Sequence, residues 1–166
     1  MTWMNDAPDV GLWYAISRLE TNYWRDIDLT AGRNAHQFYL PDGVLAYGEN
    51  RFVGQDEIRA FHEWRAGRGP MTARHLISNL QVFAADDGQA RLVAALSLFR
   101  ANGRPPVQVA HPLVLIADVV GECVHDENGT WRYRSHVINP VFVGTDMPLG
   151  LAFDTRFLGK RREPTT

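Results

Sequence analysis

Between Ala73 and Val143 four apolar runs are cut apart by three polar steps, Asp86-Asp87-Gly88, Asn102-Gly103 and Asn128-Gly129. Asp-Gly and Asn-Gly accept the left-handed backbone that tight turns between antiparallel strands require, so each step signals a hairpin. The runs, Ala73 to Phe83, Gln89 to Arg100, Val107 to His125 and Thr130 to Val143, predict an antiparallel meander. The third is long for one straight strand and is expected to bend or bulge, which would curl the sheet.

Upstream of Ala73 the spacing is helical. Ile16, Leu19, Tyr23 and Ile27 recur every three or four residues, predicting an amphipathic helix from Val10 to about Ala31, with Asp9 as N-cap and Gly32 as stop. Asn34 to Leu40 is expected to form one short helix before the turn at Pro41, Asp42 and Gly43. Val44 to Val53 reads as a broken strand or hairpin. Gln55 to about Arg65 then puts Ile58, Phe61 and Trp64 on one side of a second helix, ended by Gly67 and Gly69-Pro70. Helices first and sheet second define an α+β class. A curved sheet closed by helices encloses a cavity, where small ligands usually bind.

With 166 residues, one domain is expected: an extension at 1–9, the domain at 10–143, and a tail at 144–166 that either frays or lids the pocket with Met147, Leu149, Leu151 and Phe153. Seventeen basic and nineteen acidic side chains, net charge −2, are spread along the chain and leave no footprint for nucleic acid or acidic lipid. The basic cluster Lys160 to Arg162 reads as a solvated end. Nothing approaches the roughly 20 apolar residues of a membrane span, and Met1 to Pro8 lacks the basic-then-apolar pattern of a signal peptide, so a cytoplasmic location is expected. Cys123, the single cysteine, sits in an apolar run as a small buried hydrophobe. There is no glycine-rich phosphate loop, no G-x-S-x-G elbow, no His-Glu-x-x-His and no paired cysteines; neither cofactor nor protein-bound metal is expected.

Four segments share an order and spacing with a known family: "ISRLETNYWRDID", "FYLPDGVLAYGENRFVGQDEIRAFH", "RHLISNLQV" and "DENGTWRYRSHVINPVF". Over roughly residues 10–143 the chain resembles the SnoaL-like branch of the nuclear transport factor 2-like families. The resemblance implies a cone-shaped, curved, mostly antiparallel sheet, mixed at the edge, wrapped around the N-terminal helices. Within that group, scytalone dehydratase and hexachlorocyclohexane dehydrochlorinase pair an Asp near the end of the first helix with a His that begins a strand. Those positions fall here on Asp28 and on His75, the latter within a His-x-x-x-Asn step ending at Asn79. The second histidine of the dehydratase lacks a clean counterpart; Arg100 and His111 fall nearest its spacing.

The chemistry of such a pair is general. A neutral imidazole accepts a proton near neutral pH, and a carboxylate on its other nitrogen fixes the tautomer and stabilises the imidazolium. Asp28 would orient and His75 would abstract a proton beside a carbonyl or leaving group, while Tyr or Trp donors hold the developing oxyanion. Tyr14, Tyr23, Tyr47, Trp24, Phe99 and His111 are the candidate substrate-binding groups. Asp26, two residues from Asp28, points about 200° around the helix and cannot face the same pocket. Arg100 at a strand end reads as a surface charge, and His136 and Arg134, sharing a strand face by period, read as outward.

The resemblance implies a cofactor-independent lyase or isomerase (dehydration, elimination, isomerisation or cyclisation) acting on a small apolar cyclic or aromatic substrate. A second reading rests on "RHLISNLQV", which also resembles the small non-catalytic β subunit of aromatic-ring-hydroxylating dioxygenases, a partner of a large subunit. A third is a small-ligand-binding domain. A homodimer is expected, because the open face of a curved sheet exposes apolar residues.

Overall fold

The computed structural model describes residues 9–108 and 113–144. Helix α1 spans Val10–Thr30, capped by Asp9, whose side chain accepts the Leu12 N–H at 2.9 Å. It ends at Ala31 in the left-handed region, one residue before the expected stop. Gly32 is nonetheless required: its φ is +79°, and a Cβ there would lie 2.6 Å from His62 Nδ1. A 3₁₀ turn at Ala35–Phe38 leads into β1 (Tyr39–Tyr47), β2 (Asn50–Val53) and α2 (Gly54–Ala66). The meander follows as β3 (Met71–Ala85), β4 (Gln89–Asn102), β5 (Leu115–His125) and β6 (Trp131–Val143).

The strands form one open curved sheet in the order β2-β1-β6-β5-β4-β3. Every pairing is antiparallel except β1 with β6, which is parallel and makes the sheet mixed. Helix α1 packs on β3, β4 and β6, and α2 packs on β1 and β2. Between them Ile16, Tyr23, Phe52, Ile58, Leu92, Leu96, Tyr133 and Ile138 are all but sealed from solvent. Each such aliphatic or aromatic side chain contributes on the order of 1.5–3 kcal/mol by leaving water.

Three expectations need correction. Pro41, Asp42 and Gly43 do not turn the chain but lie within β1, whose pairing with β6 slips register between Tyr39 and Val44. The third apolar run is not one bent strand: Val107 and Gln108 lie outside the sheet, and β5 begins only at Leu115. Asn102-Gly103 therefore opens a longer connection; the Gly103 N–H donates to Pro70 O at 2.9 Å, tying that connection to the start of β3. The irregularities that curl the sheet sit elsewhere. β3 slips register between Ser78 and Gln81, where Asn79 has φ +53°, and β6 carries unpaired residues at Arg134 and Val141. Each bulge adds twist, and Pro140 is tolerated beside one because a bulged ladder needs no donor there. Residues 145–166, the expected lid or tail, and His111 lie outside the described residues.

Candidate active site

Glu20, Trp24 and Asp28 lie four residues apart, so they stack along one face of α1. His75 comes to that face from β3, where it sits opposite Leu98 of β4. Asp28 Oδ1 lies 2.7 Å from His75 Nδ1, and Oδ2 accepts the His75 backbone N–H at 3.0 Å. Their side chains retain only 10% and 5% of their exposure. An ionised carboxylate can only accept, so Nδ1 carries the proton and the lone pair is left on Nε2, at the opposite edge of the ring. The Trp24 indole stacks on the imidazole, centroids 4.5 Å apart at 22°, and holds its plane. Asp26 faces away, as its helical angle requires. It accepts from Thr30 Oγ1 at 2.7 Å and from the Asn34 N–H at 3.0 Å, tying off the turn after the helix.

His75 lines an interior chamber with Trp24, Tyr23 and Tyr47, and with Leu45, Phe61, Leu98 and Ile138 as apolar wall. The free space is about 60 Å³. Ile27 and Arg65 are shared with a wider cleft of about 510 Å³ that reaches the surface past Asp28, Met71 and Ala73. The chamber alone is smaller than the roughly 300–1,000 Å³ of a small-molecule site and the adjoining cleft is within that range, so a guest would approach from there. Tyr14 and Phe99 do not belong to the chamber. Tyr14 lies on the outer side of α1, 59% exposed, and Phe99, 41% exposed, is on the outward parity of β4.

Two chamber residues, Arg65 and His62, escaped the sequence reading, and a third was misplaced by it. Arg100 is not a surface charge: it continues the inward row Leu92, Ala94, Leu96, Leu98 of β4 and reaches the chamber. Arg65 and His62 lie one helical turn beyond Phe61 and Ile58, on the apolar stripe of α2. A charged or polar residue at a stripe position was the available signal for all three. His62 is buried with neither ring nitrogen hydrogen-bonded, and burial holds its pKa well below the ordinary value, with the Arg65 charge adding to the effect. Burial also lowers the His75 pKa; the hydrogen bond and charge of Asp28 oppose it, and Arg65 and Arg100 reinforce it. At neutral pH His75 is therefore an unprotonated base. Tyr47 is pushed up to about 12 by burial, with the two arginines pulling it back.

A second buried cluster adjoins the first. Glu20, fully enclosed, accepts from Trp24 Nε1 at 2.6 Å and from the Tyr133 hydroxyl at 2.7 Å. His136 Nε2 lies 3.2 Å from Glu20 Oε2, at ion-pair distance but out of line for a hydrogen bond; its Nδ1 is 3.2 Å from the Tyr39 hydroxyl. Burial alone would raise the Glu20 pKa, but His136 at ion-pair distance and the hydrogen bonds from Tyr133 and Trp24 together hold it below the ordinary value. The outward placement expected for His136 is corrected. The bulge at Arg134 resets the alternation, so Tyr133 and His136 both turn inward while Arg134 stays outside, on Gln89 Oε1 at 2.8 Å.

Comparison with known proteins adds the lineage. Residues 13–144 match the model of the SnoaL-like domain. No curated protein is similar enough to match. Among solved structures, Aln2 from a Streptomyces species superposes with a TM-score of 0.69 at 19% identity, over 81% of this chain and 94% of that one. A Catenulispora acidiphila protein in complex with S-DNPA gives 0.68 at 14% identity, over 80% and 95%. A candidate scytalone dehydratase from Novosphingobium aromaticivorans gives 0.66 at 16% identity, over 79% and 85%. At these identities the likeness is one of fold.

Proposed function

The chain belongs to the SnoaL-like domain family, which includes polyketide cyclases and dehydratases, and on that premise we propose that it is a cofactor-independent lyase or isomerase for a small cyclic or aromatic substrate. The observation that carries the reading is the 2.7 Å contact between Asp28 and His75 at the wall of an enclosed, aromatic-lined chamber. His75 Nε2 takes a proton from a carbon next to a carbonyl. The C–H electron pair moves toward the carbonyl oxygen, and the imidazolium is stabilised by Asp28, which keeps its own charge. The enolate then expels a β-leaving group, closes a ring or is reprotonated elsewhere, and Nε2 returns the proton. Trp24 keeps the imidazole from rotating, so lone pair and substrate carbon stay aligned.

Proton abstraction is testable without knowing the product. Incubated in D₂O with small cyclic ketones, the protein is expected to catalyse deuterium uptake at the α-carbon, read by NMR. His75→Gln and Asp28→Asn, folded like the parent, are expected to lower the exchange rate by about 10²–10⁴ for the base and less for its partner. Unchanged exchange in both variants would sink the reading in favour of a chamber that holds its guest without transforming it.

A further inference from the structure

Two arginines share the chamber with His75, and among the described residues neither has a carboxylate within 4 Å. Both are half-buried; a partly desolvated cation without a partner is costly, and two in one confined space repel each other. The nearby carboxylates are already engaged. Asp28 uses one oxygen on the His75 ring and the other on its backbone, and Glu20 is taken up by Trp24, Tyr133 and His136. The local features of Arg65 explain its helix but not its direction. It sits in the last turn of α2, where a cation suits the helix dipole, and its guanidinium lies 5.7 Å from the centre of the Phe61 ring. Arg100 has no such local reason; the inward parity of β4 aims it, and the register places it diagonally across from His75, at the roughly 7–8 Å of such cross-strand neighbours. The entry cleft repeats the sign: Arg33, Arg65 and Arg104 line it, and Asp28 is its single acidic residue.

With neutral imidazoles, the chamber wall and Asp28 carry one uncompensated positive charge, the complement of a singly ionised guest. We infer that the site takes a compact ring bearing one ionised acid group, a carboxylate or phenolate, held where the cleft meets the chamber at Arg65, with its acid group toward Arg65 and Arg100 and its reacting carbon toward His75. The guest of the proposed reaction, apolar over most of its surface, thus carries a charged handle, and the arginines of the cleft draw it in by focusing the field along its path. As a statement about catalysis this rests on the reading above; as a statement about binding it does not.

The test uses benzoate and benzamide, which match in shape and differ in charge, titrated against the intact protein by calorimetry at low and high salt. Benzoate is expected to bind at least tenfold more tightly, with the difference shrinking as salt rises. Benzoate no tighter than benzamide, or no detectable benzoate binding at millimolar concentration, overturns the proposal without any variant. Arg65→Gln and Arg100→Gln are each expected to lose about tenfold or more in benzoate affinity while benzamide affinity holds; parent-like benzoate binding by both overturns it equally. Arg65→Lys and Arg100→Lys, retaining the charge, are expected to recover part of the loss. Benzoate is also expected to raise the NMR titration midpoint of His75, because its negative charge offsets the two cations that help depress it. If His75→Gln abolishes deuterium exchange but keeps the benzoate preference, base and clamp are separate; if exchange is never seen while the preference stands, the catalytic reading falls and the clamp remains.

Discussion

At the residue scale the controlling fact is that His75 is charged only at a cost. The groups facing it are Asp28 and Tyr23 from α1, His62 and Arg65 from α2, Tyr47 from β1 and Arg100 from β4. Burial and the two arginines press its pKa down and Asp28 lifts it. For exchange activity this predicts a plateau above about pH 6.5, the ordinary histidine value, and an acid limb at lower pH. Asp28→Asn is expected to move that limb further down while slowing the reaction, and Arg100→Gln to move it up; a limb that neither change shifts would remove His75 as the titrating base. The same groups govern stability. His62 and His75 fold as neutral rings with lowered pKa, so the unfolded chain binds the extra protons, and their contribution, complete above about 6.5, fades as pH falls through the folded values. Glu20, also lowered, adds a second loss in the carboxylate range. Thermal midpoints measured from pH 8 to pH 3 are expected to fall in these two stages, and His62→Phe to diminish the first.

At the scale of elements, periodicity made much of the fold legible. The limits of α1 and α2 follow from their apolar spacing and caps, and Asp86-Asp87-Gly88 and Asn128-Gly129 do stand between paired strands. The Asp28–His75 meeting was foreseen from resemblance and not from spacing, because it depends on how α1 lies across β3. What stayed illegible was parity. A regular β6 would alternate Tyr133, Ser135, Val137 on one face, and the bulge at Arg134 breaks that order after one residue. Glu20 was overlooked for the opposite reason, since an acid among Ile16, Tyr23 and Ile27 breaks an otherwise clean stripe. This buried pairing is expected to show in a mutant cycle. His136→Phe, stranding the carboxylate, is expected to destabilise the fold by about 3–5 kcal/mol, and Glu20→Leu with His136→Phe by clearly less. Additive losses in chemical denaturation would mean that the two groups do not act as a pair.

For the whole molecule, the described residues leave the outer face of the sheet uncovered. Along one cross-strand row, Leu76, Ser97, Ile116 and Phe142 stand side by side, Leu76 and Phe142 more than half exposed. We expect a second copy of the chain to cover this row, and Phe142→Ser to weaken the pairing. A sedimentation profile that stays monomeric at high concentration would rule this out, and monomers that associate only with a large partner subunit would favour the second role drawn from the sequence. The order in which the chain is made gives the buried carboxylate a further meaning. Tyr133, which holds Glu20, is added 113 residues after it. At roughly 5–20 residues per second, the ribosome leaves that acid with Trp24 alone, and without Tyr133, for some 6–23 seconds. Through that interval the first helix can seat only on β3 and β4, so the pocket around Glu20 stays incomplete until β6 emerges and closes it.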